Sequence, residues 1–259
     1  MALMAMNYED EWWARLYDSI YWATRRQEHD FYVQQASTLA EPVLEAACGT
    51  GTVLLDLLHR GVDAYGFDIS EPMLHMLRRK LADDRREQTF WRVNRQSMVD
   101  FNYPSLKFGT VLIPSGSFLF LLTQADQIAC LTNIHRHLRS GGRLLLNFAV
   151  PSYEPLASMA KQPQPFSDFG EFQDSLGGSK VRVSCKTSTE LAQQLFHMDW
   201  RFESGSEVHD AAMCFRWVFP EEFKLLLRLA GFATWEASSG FSGEPLLSVG
   251  VETVWSAFK

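Results

Sequence analysis

The chain has 259 residues, 46% of them hydrophobic and 13% aromatic, and a formal charge of −7. That length holds one large α/β domain with an insertion or two small domains, and nothing in the acidic balance suggests a nucleic-acid footprint, which needs a basic face or stripe. Cys48, Cys130, Cys185 and Cys214 show no C-x-x-C spacing, so neither zinc nor a disulfide framework is indicated. No apolar run approaches the ~18 residues of a membrane span, and no charged start precedes an apolar stretch at the amino terminus. A cytoplasmic, reduced setting is the expectation.

Two helices are predicted first. Asn7–Arg25 gathers Tyr8, Trp12, Trp13, Tyr17, Tyr21 and Trp22, and Trp13, Tyr17 and Tyr21 share one face at four-residue spacing. Most of these rings read as packing, although a buried tyrosine hydroxyl needs a polar partner. Gln27–Leu39 follows as a second helix. Residues Pro42–Gly51, P-V-L-E-A-A-C-G-T-G, then read as a buried strand closed by Glu45 and a turn that Gly49 and Gly51 permit. From Thr52 a helix follows, with Val53, Leu54, Leu55, Leu57 and Leu58 at helical spacing. Strand, glycine turn and helix form the first half of a nucleotide-binding βαβ unit, yet the dinucleotide pattern G-x-G-x-x-G is absent. A carboxylate at the strand end would repel a pyrophosphate and could accept bonds from a cationic ligand.

Val62–Phe67 is a second strand, ended by Asp68, 23 residues beyond Glu45. An acid at that separation is placed to accept two hydrogen bonds from a ribose diol. Ser70 and Pro72 mark the start of a helix carrying Met73, Leu74, Leu77 and Leu81. Thr89–Val93 and Phe108–Ile113 are predicted strands, and Pro114–Phe118 follows where open α/β sheets bind ligands. Gln124–Leu138 reads as a helix ended by Gly141 and Gly142. Its His135 and His137 lie two apart and point away from each other, a poor metal pair. Arg143–Val150 is a fifth strand.

Beyond it, Pro151, Pro155, Pro163 and Pro165 predict a loop that no helix tolerates. Lys180–Thr187, Leu195–Glu203 and Val208–Phe219 alternate as antiparallel strands, and at least one face of such a sheet needs a partner. That points to a cover over the substrate mouth and leaves a homodimer surface open. Phe219–Leu229 is a helix, and Phe232–Glu236 with Leu247–Trp255 forms a terminal strand pair.

The turn E-x-A-x-G-x-G, the run G-F-D-I-S-E-P-M-L-H-M-L-R-R-K and the run F-R-W-V-F-P-E-E-F-K-L-L-L-R-L-A-G-F together resemble the class I S-adenosylmethionine-dependent methyltransferases. The likeness is closest to small-molecule N-methyltransferases that tailor antibiotics and amino sugars. It implies an α/β, Rossmann-like fold: a seven-stranded, mostly parallel sheet with a reversed last strand and helices on both faces. It also implies a helical cap over 1–40, a core over 41–150 and 220–259, and an antiparallel insert over 151–219 acting as a lid. The implied chemistry is methyl transfer from S-adenosylmethionine, leaving S-adenosylhomocysteine, to a small-molecule acceptor through an amine nitrogen. No metal, nucleic acid or membrane is implied.

By the same resemblance, Tyr21, Glu45, Ala47, Gly49, Gly51, Asp68, Ile69, Met73, Ser97, Met98 and Pro114 would hold the cofactor. Tyr8, Tyr17, Phe118 and Tyr153 would meet the acceptor. Tyr17, Asp18 and Tyr21 match the family's Y-D-x-x-Y core, and Tyr17 is the expected catalytic residue, with orientation as its task. Three positions depart from the pattern: Ala47 replaces the first glycine, Ser97 an acid, and Gly109 a frequent aspartate. Phe118 stands where amino-sugar relatives tend to carry a histidine, which implies an aromatic pocket working by proximity and desolvation. Two other readings stay open. One is an O-methyltransferase with His197 or His209 as base; the other is a non-catalytic subunit that binds S-adenosylmethionine.

Overall fold

The computed structural model describes residues 9–36, 38, 40–161 and 164–259. Its frame is a sheet built on β1 (Val43–Ala46), β2 (Ala64–Asp68), β3 (Val93–Arg95), β4 (Phe108–Ile113) and β5 (Leu138–Val150), paired in parallel. β1, β2 and β4 are buried at every position. Strands covered on both faces read as continuous apolar runs, as these do. A four-stranded antiparallel sheet follows, of β6 (Ser167–Gln173), β7 (Lys180–Glu190), β8 (Leu195–Ser204) and β9 (Glu207–Arg216). The chain then returns to the first sheet with β10 (Thr234–Ser239), β11 (Glu244–Pro245) and β12 (Val251–Phe258). The order is β11-β10-β12-β5-β4-β1-β2-β3, with β12 antiparallel to β5. This is the expected seven-stranded arrangement with its reversed last strand, plus a two-residue edge pairing at β11.

Among the described residues seven α-helices accompany the strands: α1 (Glu11–Thr24), α2 (Arg26–Ala36), α3 (Leu54–His59), α4 (Glu71–Asp83), α5 (Gln124–His137), α6 (Tyr153–Lys161) and α7 (Pro220–Leu229). Their starts are chemically marked. The side chains of Asp10, Ser70 and Thr123 accept from the backbone N–H of Trp13, Met73 and Asp126, and Pro220 occupies the first turn of α7. On one face of the main sheet, Phe148 and Trp255 pack with Leu131 of α5 and Phe223 of α7. On the other, Val43 and Leu112 pack with Tyr32 of α2, Leu54 of α3 and Leu77 of α4. A third core joins Trp13 and Leu16 of α1 to Val181, Val183, Trp200 and Phe202 of the second sheet.

Several sequence expectations need correction. Thr89–Val93 is mostly a 3-10 turn over Glu87–Arg92, and the strand begins only at Val93. α5 ends at His137, and Gly141 and Gly142 lie inside the long β5 rather than at the helix end. Pro155 sits in α6, because a proline in the first turn removes an N–H that has no intrahelical acceptor there. β6 was missed altogether; Pro163 lies outside the described residues. β9 stops at Arg216, three residues before Phe219. Gly109 is set against the chain at Ala40, whose carbonyl would clash with any added Cβ, so a side chain there is sterically barred.

The parallel order places β1 between β2 and β4, with successive connections departing to opposite sides. Ligands of open α/β sheets bind at such a reversal, beyond the carboxyl ends of the strands. The fold therefore fixes where the site must be.

Candidate active site

A cavity of about 700 Å³ opens at that edge, within the size range of small-molecule sites. Its floor is the turn after β1 and the end of β2, with α1 along one side. The inner face of the second sheet supplies another wall through Met198, Trp200 and Met213. Of the expected residues, Tyr17, Tyr21, Ala47, Gly49, Asp68, Ile69, Met73, Ser97 and Met98 line this space.

The others stand elsewhere. Gly51 has its Cβ direction filled by Leu77 and Leu55, so it serves the packing of α3 against α4 rather than the approach of a ligand. Phe118 is fully buried in the main core between Phe148 and Phe223. Tyr153 is 64% exposed and stacks on Phe219. Pro114 and Glu45 are not part of the cavity lining, although the neighbouring Ser115 and Ala47 are. Tyr8 lies outside the described residues.

Gly49 and Ala47 both adopt left-handed backbone, with φ of 52° and 57°. At Gly49 an added Cβ would meet nothing nearer than a Tyr17 ring carbon at 4.0 Å, so its backbone faces the cavity openly. The Gly49 N–H donates to Asp68 Oδ2 and the Ser70 N–H to Asp68 Oδ1, each at 2.8 Å. These bonds fix the Asp68 carboxylate while leaving lone pairs on both oxygens. Burial pushes the Asp68 carboxyl above its usual range, against the pull of the N–H donors of Ser70, Gly49 and Ile69. Glu45 is 3% exposed, and its Oε2 has no hydrogen-bond partner among the described residues. Its carboxyl is lifted well above normal, by burial first and then by the charge of Asp68.

α1 is held over this floor by charged contacts. Asp18 accepts from Thr50 Oγ1 at 2.5 Å and pairs with Lys80 of α4. Arg15 forms a two-pronged pair with Asp174 just after β6. Tyr17 and Tyr21 stack with ring centroids 5.9 Å apart, and burial drives both phenols well above their ordinary pKa. Both are neutral across the working range, so neither is a proton acceptor. The Tyr21 hydroxyl is buried, with Thr52 as a polar neighbour.

The structure adds a polar network that the sequence reading missed. Asn147 of β5 donates through Nδ2 to Glu28 Oε2 (3.0 Å) and Glu252 Oε1 (2.5 Å). Its Oδ1 accepts from the Tyr32 hydroxyl (2.7 Å) and the Ser115 N–H (3.2 Å). Glu28 also accepts from Arg25 (2.7 Å) and the Ser115 hydroxyl (2.5 Å). Arg25, Ser115 and Glu252 face the cavity. One signal was available: a lone Asn in L-L-L-N-F-A-V and a lone Glu in V-E-T-V-W interrupt apolar strands, and a buried polar group demands partners. Which partners they find depends on pairings across 105 and 119 residues.

The histidines take no part. His209 bonds Asp10 at 2.6 Å, steadying the start of α1, and His197 bonds Glu190 on an exposed strand. His137 holds Tyr103 N–H and the Asn133 carbonyl within the core. Among the described residues no group of three or more His, Cys, Asp or Glu is arranged to hold a metal ion, and no helix is long and apolar enough to cross a membrane.

Comparison with known proteins agrees with this geometry. Residues 43–142 match the family described as methyltransferase domain. A cypemycin N-terminal methyltransferase from a Streptomyces species is 25% identical over 206 residues, covering 78% of this chain and 77% of that protein. Among solved structures, an S-adenosylmethionine-dependent methyltransferase from Clostridium acetobutylicum superposes with a TM-score of 0.74 at 18% identity, over 95% of this chain and 97% of that one. CalS10, an S-adenosylmethionine-bound amino pentose methyltransferase from Micromonospora echinaspora, gives 0.62 at 18% identity over 93% and 95%. At such identities the structural likeness speaks for the fold.

Proposed function

We propose that the chain, an S-adenosylmethionine-dependent methyltransferase, methylates an amine nitrogen of a small molecule bound in this cavity. The observation that carries the amine reading is the charge of the site. Asp68 and Glu252 line it and Glu28 stands behind, bonded to Asn147, while Arg25 is the cation that answers Glu28. A cationic donor and a cationic amine both suit such surroundings. The names of two similar proteins, an N-terminal methyltransferase and an amino pentose methyltransferase, favour nitrogen as well.

The residues fit the cofactor. Asp68 would accept from the ribose hydroxyls with the lone pairs that Gly49 and Ser70 leave free. Ile69, Met73 and Met98 would flank the adenine, with Ser97 as polar neighbour, and the open backbone at Ala47 and Gly49 would take the amino-acid portion. The unpartnered Glu45 oxygen marks buried polar capacity near that end. When bound, S-adenosylmethionine supplies a methyl group on a sulfonium, ready for in-line displacement. What the protein contributes is alignment and the exclusion of water, worth ~7–11 kcal/mol where the geometry is near attack. Tyr17 would orient the nitrogen, and the second sheet would serve as the lid over the acceptor. Against an oxygen acceptor, His197 and His209 bond Glu190 and Asp10 and are not among the residues that line the cavity.

The test uses methyl-labelled S-adenosylmethionine with pairs of acceptors that differ only in amine against hydroxyl. Label on the amine members supports the reading. Label confined to the alcohols contradicts it.

A further inference from the structure

Glu252 is the second residue of β12, and the reversed direction of that strand brings it beside the carboxyl end of β5. It pairs there with Ala149, and both line the cavity. Around it stand Arg25 between α1 and α2, Glu28 and Tyr32 on α2, and Asn147 on β5. The hydrogen-bonding capacity of Asn147 is used up by its four partners. Glu28 is engaged by Arg25, Ser115 and Asn147. One guanidinium thus faces two carboxylates, and this end of the cavity lacks one positive charge. Glu252 receives Asn147 on one oxygen, while a carboxylate offers about four acceptor positions.

We propose that Glu252 is the residue that binds the acceptor's ammonium group and takes its proton. This rests on the methyl-transfer reading above and specifies how the acceptor is recognised: a primary or secondary amine, charged on arrival, whose apolar body lies toward Trp200, Met198 and Met213. The proton passes from the ammonium to a Glu252 carboxylate oxygen, and the nitrogen keeps the electron pair. That pair forms the new N–C bond as the C–S bond breaks, with its electrons remaining on sulfur. Burial, ahead of the opposing effects of Asn147 and Arg25, raises the Glu252 carboxyl above its usual range. The shift makes it a better proton acceptor than an exposed glutamate.

The experiment measures binding of 2-phenylethylamine and 2-phenylethanol to protein saturated with S-adenosylhomocysteine, for wild type and Glu252→Gln. The two probes share one apolar body and differ in charge. Wild type should prefer the amine by ~10-fold or more, the scale of one charge-assisted contact. In Glu252→Gln, which can still accept from Asn147, the preference should fall to within about twofold with S-adenosylhomocysteine affinity unchanged. The wild-type preference should also fade on acidification, as the raised carboxyl protonates. Equal binding of the two probes to wild type, no amine binding up to ~10 mM, or a preference that survives in Glu252→Gln overturns the assignment. Failure of S-adenosylhomocysteine itself to bind would overturn the methyl-transfer reading and this inference with it.

Discussion

Tyr17 and Ala47 show what single side chains decide in this site. The Tyr17 ring is fixed by stacking on Tyr21 and by an edge contact with Trp13, at centroid distances of 5.9 and 6.4 Å. Removing only its hydroxyl keeps that packing. For Tyr17→Phe we expect turnover to fall roughly 10- to 100-fold, or ~1.4–2.7 kcal/mol of barrier, with an unchanged melting temperature and an unchanged pH profile. Equal turnover would reduce Tyr17 to one more packed ring. Ala47 carries a left-handed φ of 57°, a conformation that costs a residue with a Cβ about 1–2 kcal/mol. Ala47→Gly should relieve part of that cost and raise the melting temperature; a lower one would show that the methyl group packs favourably in the cavity wall. Sequence made Asp68 and Gly49 legible because a turn and a strand end impose their spacing locally. It misplaced Gly51, Phe118 and Tyr153, whose directions are set by packing partners far along the chain.

At the level of elements, α1 is the part on which the site's closure depends. Charged clamps hold it to both sheets: Asp18 to Thr50 and Lys80 on one side, and Arg15 to Asp174 on the other. Burial pushes the Asp174 carboxyl up, but Arg15 and the N–H groups of Leu176 and Gly177 more than offset this, leaving it below its usual value. A depressed carboxyl contributes stability above its unfolded pKa of about 3.9 and loses it as pH falls through the folded value. Below pH ~4 the clamp should therefore loosen. Asp174→Asn should do the same at neutral pH, costing ~1.5–3 kcal/mol, with faster hydrogen exchange in α1 and β6. Protection that is unchanged in the variant would contradict the clamp. The helical periodicity of α1 was readable from its aromatic stripe. Its clamps were not, since Arg15 and Asp174 lie 159 residues apart. α6 escaped for a different reason: Pro155 is a breaker only inside a helix, and sequence alone did not show that it falls in the first turn.

For the whole molecule, the two sheets divide the labour. The mostly parallel sheet, with β1 at its reversal point, carries the floor of the cavity, and the antiparallel sheet packs with α1 in an apolar core beside it. The alternation of strands and helices in the core was legible from acid-terminated strands followed by helical spacing, whereas the reversed last strand was implied only by the family resemblance. The composition of the opposite wall of the cavity was not legible, because it arises where β5, β8, β9 and β12 converge. The proposed function rests on this cavity holding S-adenosylmethionine with its ribose at Asp68. Calorimetric titration of wild type and Asp68→Ala with S-adenosylhomocysteine tests it most directly. The prediction is a single site per wild-type chain, weakened in a folded Asp68→Ala protein by about 1.5–3 kcal/mol, the value of a hydrogen bond to a charged group. The contradicting result is no binding to wild type, or equal affinity in the folded variant.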